Sequence, residues 1–175
     1  FRRVLFRSMQ YSSALFTPQT HSLEQAQENK LQRICEQLEL SAHDHLLEIG
    51  SGWGGLAIFA AQRYGCRVTT TTISDAQFEF AQKRIHAAGV QDKITILNQD
   101  YRALQGRFDK LVSVEMIEAV GQKYLPTFFA QVDHLLAPRG KMLLQAITIS
   151  DQRYKRYASR TDFIRKHIFP GGFLP

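Results

Sequence analysis

A glycine-rich turn is the first feature of the chain that could do chemistry. An apolar run with an acidic residue, Leu46–Ile49, leads into Gly50-Ser51-Gly52-Trp53-Gly54-Gly55. Glycine has no Cβ, so the backbone can turn sharply there and lie against a ligand that a side chain would push away. Such a turn between a strand and a helix holds nucleotide-like cofactors in α/β proteins. We therefore expect a cofactor site at this turn.

The glycines also match a dinucleotide-binding pattern, because Gly50, Gly52 and Gly55 satisfy G-x-G-x-x-G. That pattern further requires a carboxylate about twenty residues on, at the end of the second strand, to bind the ribose hydroxyls. The corresponding stretch, residues 68–74, has no acid before Asp75. A nicotinamide enzyme is therefore disfavoured. A turn that only packs a helix against a strand remains an alternative.

Composition indicates a single soluble domain. The 175 residues are 44% hydrophobic and 22% charged, and no apolar run is long enough to span a membrane. The start of the chain lacks the features of a signal peptide, so we expect a cytoplasmic protein. Cys35 and Cys66 are the two cysteines, which suits a reducing compartment, and we expect both to be buried. The six histidines form no cluster with cysteine, so we predict no metal site.

Part of the net charge of +6 is concentrated near the end of the chain. This basic strip contains Arg153, Lys155, Arg156, Arg160, Arg165 and Lys166, against Asp151 and Asp162. It could contact an anionic membrane surface or nucleic acid, or it could be a solvated helix face. No Asn-Pro-Pro-Tyr-like tetrad follows the strand predicted at 108–114, and we predict no nucleic-acid partner.

Strands alternate with helices along the chain, which predicts a doubly wound, mostly parallel α/β sheet. Apolar periodicity, with Ser22 and Gln25 as a capping box, predicts a first helix from Leu23 to Leu38. The other predicted helices are Leu56–Tyr64, Asp75–Ala88 closed by Gly89, and Pro126–Leu136. The predicted strands are His45–Ile49, Arg67–Thr72, Ile94–Leu97, Phe108–Val114 and, after a Pro138-Arg139-Gly140 turn, Lys141–Thr148.

Ligands bind such sheets beyond the carboxyl ends of the strands, near the switch in strand order. The segments that follow each strand are therefore the candidate site: Gly50–Gly55, Thr72–Gln77, Gln99–Arg102, Glu115–Gly121 and Gln145–Thr148.

These segments carry a set of motifs in a fixed order. They are Tyr11-Ser12-Ser13, the helix at 23–38 leading into Leu46–Gly55, Thr72-Ile73-Ser74 with Gln77, Asp100-Tyr101-Arg102, Val114–Gly121, and the ending Phe163–Pro175 with Ile168-Phe169-Pro170-Gly171-Gly172-Phe173-Leu174-Pro175. Together they resemble the cyclopropane fatty acid synthases, including the mycolic acid cyclopropane synthases, which are class I S-adenosylmethionine-dependent methyltransferases.

The resemblance implies an enzyme that transfers the sulfonium methyl of S-adenosylmethionine to a cis double bond of a phospholipid acyl chain, followed by proton loss and ring closure. Unsaturated phospholipid chains would be the partner, at the cytoplasmic face of the inner membrane, and the full-length protein could be a homodimer. The basic strip would then contact anionic headgroups.

The resemblance also implies which residues contact the cofactor. They are Tyr11, Ser12, Glu48, Gly50, Ser51, Gly52, Trp53, Gly54, Thr72, Ile73, Ser74, Gln77, Asp100, Tyr101 and Arg102. Aromatic faces suit a cation, and Tyr11, Tyr101, Phe163 and Phe169 are the candidates for that contact, with plain core packing as the alternative.

For the base, the resemblance implies a bound bicarbonate held by a glutamate, a cysteine, a histidine, a backbone group and a later tyrosine. Glu118 matches the glutamate and Ile147 the backbone group, whereas Ser13 replaces the cysteine and Gln145 the histidine. Both replacements keep hydrogen-bonding ability. Glu115 stands where many members of the family carry glycine.

The family's sheet continues beyond the Pro-Gly-Gly segment, so we interpret the chain as a fragment lacking the final strands and inactive by itself. We divide it into an N-terminal segment, residues 1–21, and a methyltransferase domain, residues 22–175. We interpret residues 1–8 as an artefact. Three alternatives stay open: methyl transfer without ring closure, methylation of another lipid or a small molecule, and a catalytically silent cofactor- or lipid-binding module.

Overall fold

The fold is a five-stranded sheet with helices on both faces, seen in a computed structural model that describes residues 9–159, 163 and 166. The strands are β1 (His45–Ile49), β2 (Arg67–Thr72), β3 (Ile94–Asn98), β4 (Phe108–Val114) and β5 (Leu136–Gln145). The helices are α1 (Leu23–Gln37), α2 (Gly55–Tyr64), α3 (Asp75–Ala87), α4 (Leu125–Leu135) and α5 (Asp151–Ala158). Short 3₁₀ turns lie at Tyr101–Ala103, Ile117–Ala119 and Gln122–Tyr124.

The order of the strands is β3-β2-β1-β4-β5, and every neighbouring pair is parallel. This confirms the predicted doubly wound α/β fold. The chain moves outward from β1 to β3 and then returns to the other side of β1 with β4. The switch in strand order therefore lies beside β1, whose carboxyl end leads into the glycine turn.

Two apolar cores cover the two faces of the sheet. Along β1, Leu46 belongs to one core and Leu47 to the other, because successive side chains of a strand point to opposite faces. Residues from α1, α2 and α3 pack in the first core, and Phe128 of α4 is fully buried in the second. The sheet is thus buried on both sides, as a parallel sheet requires. Cys35 and Cys66 are buried and free, as predicted.

The helix boundaries follow their caps. Ser22 caps α1 by accepting from the Gln25 backbone N–H at 3.2 Å, and the Gln25 side chain accepts from the His21 N–H. Ser74 caps α3 in the same way, and Gly89 follows its end at φ +68°. These boundaries agree with the sequence prediction to within one residue.

The last strand differs from the prediction at both ends. It begins at Leu136, which pairs with Phe108, and the register then shifts so that Lys110 pairs with Lys141. The predicted turn at residues 138–140 is therefore an irregularity inside β5. The strand ends at Gln145 because the Ile147 N–H donates to a side chain instead of continuing the ladder.

No helix in the described part of the chain is long and apolar enough to cross a membrane. Residues 1–8, which we interpret as an artefact, lie outside the described residues. Most of the motif at 163–175, including Phe169, also lies outside them. Arg160, Asp162 and Arg165 of the basic strip lie outside them as well.

Candidate cofactor and active site

The glycine turn after β1 has a backbone that other residues would adopt only with strain. Gly50, Gly52 and Gly54 have φ values of +97°, +47° and +80°. The N–H groups of Gly50 and Ser51 both donate to the Thr71 carbonyl of β2, which holds the turn at the edge of the sheet. A Cβ on Gly54 would lie 3.1 Å from the Ala81 Cβ of α3. The turn is therefore fixed by glycine at these positions.

The N-terminal segment Gln10–Ser13 lies over this turn. A Cβ on Gly52 would meet the Tyr11 ring at 3.3 Å, and the Tyr11 hydroxyl accepts from Gln77 Nε2 at 3.3 Å. Tyr11 is 64% exposed. Gln10, Tyr11 and Ser12 form one wall of a cleft, and its other residues include Glu48, Gly50, Ser51, Gly52 and Trp53. The segment thus closes one side of the predicted cofactor site.

The carboxyl end of β2 forms a second side of the site. Thr72 Oγ1 donates to Gln77 Oε1 at 2.8 Å and accepts from the Ser74 N–H at 3.1 Å. Gln77 therefore connects this corner to Tyr11. Ile73 is 77% exposed although it lies between buried and half-buried neighbours. An exposed large apolar side chain beside a cleft suits contact with a flat apolar ligand group.

The third corner follows β3. Asp100 accepts from the Arg102 backbone N–H at 2.8 Å and from Arg102 Nη2 at 2.7 Å, an arrangement that lowers the pKa of Asp100. Tyr101 packs edge-on against Phe128 at 5.4 Å, and desolvation raises its pKa. Asp100 and Arg102 are thus paired with each other.

Glu48 is a carboxyl group inside the sheet, 4% exposed. Burial raises its pKa to about 8, although a hydrogen bond from Thr70 Oγ1 at 2.6 Å opposes the shift. Trp53, in the glycine turn, stacks edge-on against Phe80 at 5.3 Å and its carbonyl accepts from Arg84 at 2.8 Å. Glu48 and Trp53 are therefore each held by contacts with neighbouring elements, and both line the cleft.

Lys30 of α1 fixes the N-terminal segment and is a site residue to which the sequence analysis gave no function. Its Nζ donates to Ser12 Oγ at 2.7 Å and to Gln10 Oε1 at 3.0 Å, and Gln27 Nε2 donates to the Ser12 carbonyl at 3.1 Å. Burial lowers the pKa of Lys30 to about 8, and the charge of Glu115 opposes this. One signal was present in the sequence, because Lys30 lies on the apolar stripe of α1.

A second polar cluster contains the two residues that depart from the family pattern. Ser13 donates to Glu115 Oε1 through its backbone N–H at 3.0 Å and through its hydroxyl at 2.6 Å. Gln145 Nε2 donates to the same oxygen at 2.8 Å and to Ser13 Oγ at 2.9 Å. Ser13, Glu115 and Gln145, the anion cluster, are therefore held together by one carboxylate oxygen.

Glu118 lies in the 3₁₀ turn after β4 and is fully buried. Its Oε1 accepts from the Ile147 N–H at 2.6 Å, so the two predicted residues are in direct contact. Its Oε2 is buried and has no hydrogen-bond partner among the described residues. A buried carboxylate oxygen without a hydrogen-bond partner costs free energy. Such an oxygen is typical of a group that binds a ligand.

The segment Tyr11–Ser13 joins the two parts of the site, since Tyr11 contacts the glycine turn and Ser13 contacts Glu115. The sheet order and the glycine turn define a Rossmann-like methyltransferase fold. The chain belongs to the mycolic acid cyclopropane synthetase family, whose sequence model matches residues 1–175.

Curated relatives support this assignment. Over its whole length the chain is 44% identical to a cyclopropane-fatty-acyl-phospholipid synthase of Escherichia coli K12 and 40% identical to the tuberculostearic acid methyltransferase UfaA1 of Mycobacterium tuberculosis. It spans 44% and 42% of these two proteins.

Among solved structures, the mycolic acid cyclopropane synthase CmaA1 complexed with SAH and CTAB matches with a TM-score of 0.89 at 28% identity, over 99% of this chain and 64% of that one. The cyclopropane synthase MmaA2 from Mycobacterium tuberculosis matches with a TM-score of 0.86 at 27% identity, over the same shares of the two chains. The predicted family and fold are thus confirmed, whereas the roles of individual site residues stay predictions.

Proposed function

We propose that the full-length protein containing this chain transfers a methyl group from S-adenosylmethionine to the cis double bond of an unsaturated phospholipid acyl chain and closes a cyclopropane ring. One observation carries the proposal. A single segment, Tyr11–Ser13, joins the cleft at the glycine turn to a polar cluster that could receive a proton. The name of the E. coli relative, a cyclopropane-fatty-acyl-phospholipid synthase, points to the same chemistry, and the name of the mycobacterial relative points to methyl transfer.

The residues around the cleft fit this cofactor. Gly50 and Gly52 allow the sharp turn, and the side chains of Met116 and Tyr11 approach its backbone closely at these two positions. Tyr11 presents an exposed ring, suited to a cation, and Gln77 holds its hydroxyl. Asp100 has a carboxylate suited to hydroxyl groups once a ligand competes with Arg102. When bound, S-adenosylmethionine supplies an electrophilic methyl group.

The protein's own residues have three tasks in this reaction. The turn and Tyr11 orient the methyl donor, and the site must keep water away from a carbocation on the lipid. A base must then accept a proton near the new methyl group. Two carboxylates follow the carboxyl end of β4. Glu115 belongs to the anion cluster, and Glu118 accepts a hydrogen bond from the Ile147 N–H.

A membrane surface is the expected place of reaction. In α5, Arg153, Lys155 and Arg156 are exposed, and the chain carries a net charge of +6. Basic residues near a bilayer that contains anionic lipids each favour binding by about 1 kcal/mol. We therefore propose that α5 contacts anionic headgroups while an acyl chain enters the site.

Methyl transfer without ring closure is a second candidate. The 40% identity to a tuberculostearic acid methyltransferase favours it, as do Ser13 and Gln145 in place of the family's cysteine and histidine. The two reactions share the methyl transfer and differ in which proton leaves. They are therefore distinguished by the product and not by the cofactor.

The test is to express the full-length protein in cells rich in unsaturated phospholipids and to feed methionine labelled in its methyl group. Mass spectrometry then measures the acyl chains before and after oxidation of alkenes. We expect chains heavier by one labelled methylene that resist oxidation. Labelled chains that are still oxidised would instead establish methyl transfer without ring closure. Unlabelled lipid would refute both lipid reactions and leave a small-molecule enzyme or a silent binder.

A further inference from the structure

Ring closure needs a base, and few groups of the described site could be that base. Methyl addition to an alkene uses the alkene electron pair and leaves a cation on the neighbouring carbon. This cation becomes a neutral product only when a proton leaves. The candidates are carboxylates beside the cleft or the anion cluster: Glu48, Asp100, Glu115 and Glu118.

Three of these carboxylates are less well placed to take a proton from a substrate. Glu48 is buried in β1 with a raised pKa and is bonded to Thr70. Asp100 is paired with Arg102. Glu118 is fully buried, and its Oε1 accepts from the Ile147 N–H. Its Oε2 has no hydrogen-bond partner among the described residues, but burial leaves it no exposed surface for a substrate to reach. None of the three combines partial exposure with an oxygen held by donors from separate segments.

Glu115 has both properties. It is half-buried, and its Oε1 accepts three hydrogen bonds, two from Ser13 and one from Gln145. These donors belong to the N-terminal segment and to β5, which lie 102 and 30 positions from Glu115 in the chain. The carboxylate is therefore held by two other parts of the molecule, one of which is the segment that also covers the glycine turn.

The backbone of Glu115 gives an independent indication. Its φ is +48°, in the left-handed region that glycine adopts without strain, and its N–H donates to the Gln145 carbonyl at 2.8 Å. A non-glycine residue adopts this region only with backbone strain. Glycine at this position would remove the strain and also the carboxylate. The strained backbone is thus tied to the placement of the side chain beside Ser13 and Gln145.

We propose that Glu115 is the general base of this enzyme and takes the place of an external bicarbonate. The inference rests on the proposed function. In ring closure, a C–H bond of the new methyl group breaks, its electron pair forms the C–C bond to the cationic carbon, and the proton goes to the Glu115 carboxylate. If ring closure does not occur, the same carboxylate takes a proton from a carbon beside the cation, and that electron pair forms an alkene. Glu115 then returns the proton to solvent.

Bicarbonate dependence tests the proposal on the full-length protein with vesicles of unsaturated phospholipid and labelled S-adenosylmethionine. We expect labelled product to form at the same rate in CO2-free buffer with and without added bicarbonate. We also expect no bound signal when ¹³C-bicarbonate is titrated into the protein and followed by NMR. A rate that falls in CO2-free buffer and returns with bicarbonate would overturn the proposal.

Variants test the carboxylate itself. Glu115→Gln keeps the shape, and we expect total labelled product to fall by at least about 100-fold, with unchanged SAH affinity. Glu115→Gly suits the positive φ, and we expect it to be inactive, to bind ¹³C-bicarbonate, and to regain activity when bicarbonate or formate is added. Glu28→Gln, an exposed glutamate of α1, is the matched control and should match the wild type.

The outcomes separate this proposal from the proposed function. If the wild type labels no lipid, the proposed function fails, whatever Glu115 does. If the wild type labels lipid and Glu115→Gln retains activity within about threefold, the base proposal fails alone. If Glu115→Gln loses SAH binding, its low activity says nothing about the base, and Glu115→Gly provides the test. If Glu115→Gly binds SAH but added bicarbonate or formate does not restore its activity, Glu115 is not the base.

Discussion

Glu48 carries the largest cost of burial among the carboxyl groups of the described sheet. It is 4% exposed, and burial raises its pKa to about 8 while Thr70 Oγ1 donates to it at 2.6 Å. The protonated form therefore fits the sheet better than the charged form. Its place directly before the glycine turn makes this property part of the cofactor site.

This shift predicts how stability depends on pH. Between the unfolded pKa of about 4.5 and the folded pKa of about 8, the folded protein binds more protons at Glu48 than the unfolded chain does. The free energy of unfolding therefore falls as pH rises through this window, and Glu48 contributes a loss on the order of 2 kcal/mol between about pH 5 and about pH 7. Glu48→Gln should remove this contribution, as measured by denaturant unfolding at several pH values.

Glu28→Gln provides the control for this prediction, because Glu28 is exposed. Its pH profile should match that of the wild type. If Glu48→Gln shows the same decline as the wild type, Glu48 is not the buried acid described above.

Residues with local signatures could be predicted from the sequence, and residues with long-range partners could not. Gly50, Gly52 and Gly54 predict a turn because they lie close together in the sequence. Glu115 lies in a segment predicted to follow a strand, but no local pattern indicates its bonds to Ser13 and Gln145, which lie 102 and 30 positions away. The sequence marked Ser13 and Gln145 as replacements, but only the folded chain brings both to one carboxylate.

At the scale of elements, Gly54 packs α3 against the turn that begins α2. Its φ is +80°, and a Cβ would lie 3.1 Å from the Ala81 Cβ. Gly54→Ala should therefore add both backbone strain and a steric clash, lowering the free energy of unfolding by about 2 kcal/mol or more. It should also weaken SAH binding, because the turn must move.

Gly89 supplies a matched control for this substitution. Its φ is +68°, yet nothing lies within 4 Å of a Cβ built on it. Gly89→Ala should therefore cost only the backbone strain, roughly 1 kcal/mol, and leave SAH binding unchanged. Equal destabilisation by the two substitutions would mean that the contact between the turn and α3 contributes nothing.

The N-terminal segment depends on Lys30 of α1 for its position. Because Lys30 Nζ holds Gln10 and Ser12, Lys30→Met should free the segment that carries Tyr11 over Gly52. We expect SAH affinity, measured by calorimetry on the full-length protein, to fall by about tenfold, equivalent to ~1.4 kcal/mol.

The stability of Lys30→Met should change little, because methionine suits the same buried position. Lys83→Met, at an exposed position of α3, is the control and should bind SAH like the wild type. Unchanged affinity in Lys30→Met would show that the segment keeps its position without the lysine.

Most elements could be predicted because helix caps and buried parallel strands leave local patterns, as at Ser22 and at Phe108–Val114. The exception is β5. Its early start at Leu136 depends on pairing with Phe108, and its end depends on the bond from the Ile147 N–H to Glu118. Both are contacts between distant segments, so periodicity along one segment does not contain them.

At the scale of the whole molecule, the charge of +6 and the exposed cations of α5 predict electrostatic binding to membranes. Substituting Arg153, Lys155 and Arg156 together by glutamine should weaken binding of the full-length protein to vesicles with anionic lipids by about 1 kcal/mol per charge. Added salt should weaken wild-type binding in the same direction. Vesicle co-sedimentation measures both effects.

Vesicles of neutral lipid are the control, and the triple variant should bind them as the wild type does. SAH affinity should be unchanged, which shows that the site is intact. If the triple variant and the wild type bind anionic vesicles equally, α5 does not contact the membrane.

In the full-length protein, we expect this site to methylate lipid chains. The most direct measurement incubates the purified full-length protein with methyl-labelled S-adenosylmethionine and vesicles of unsaturated phospholipid, and then determines the mass and oxidation resistance of the acyl chains. We predict label in the acyl chains, each heavier by one methylene and resistant to oxidation, with no label when the chains are saturated. A protein that binds S-adenosylmethionine but leaves the acyl chains unlabelled would contradict this account.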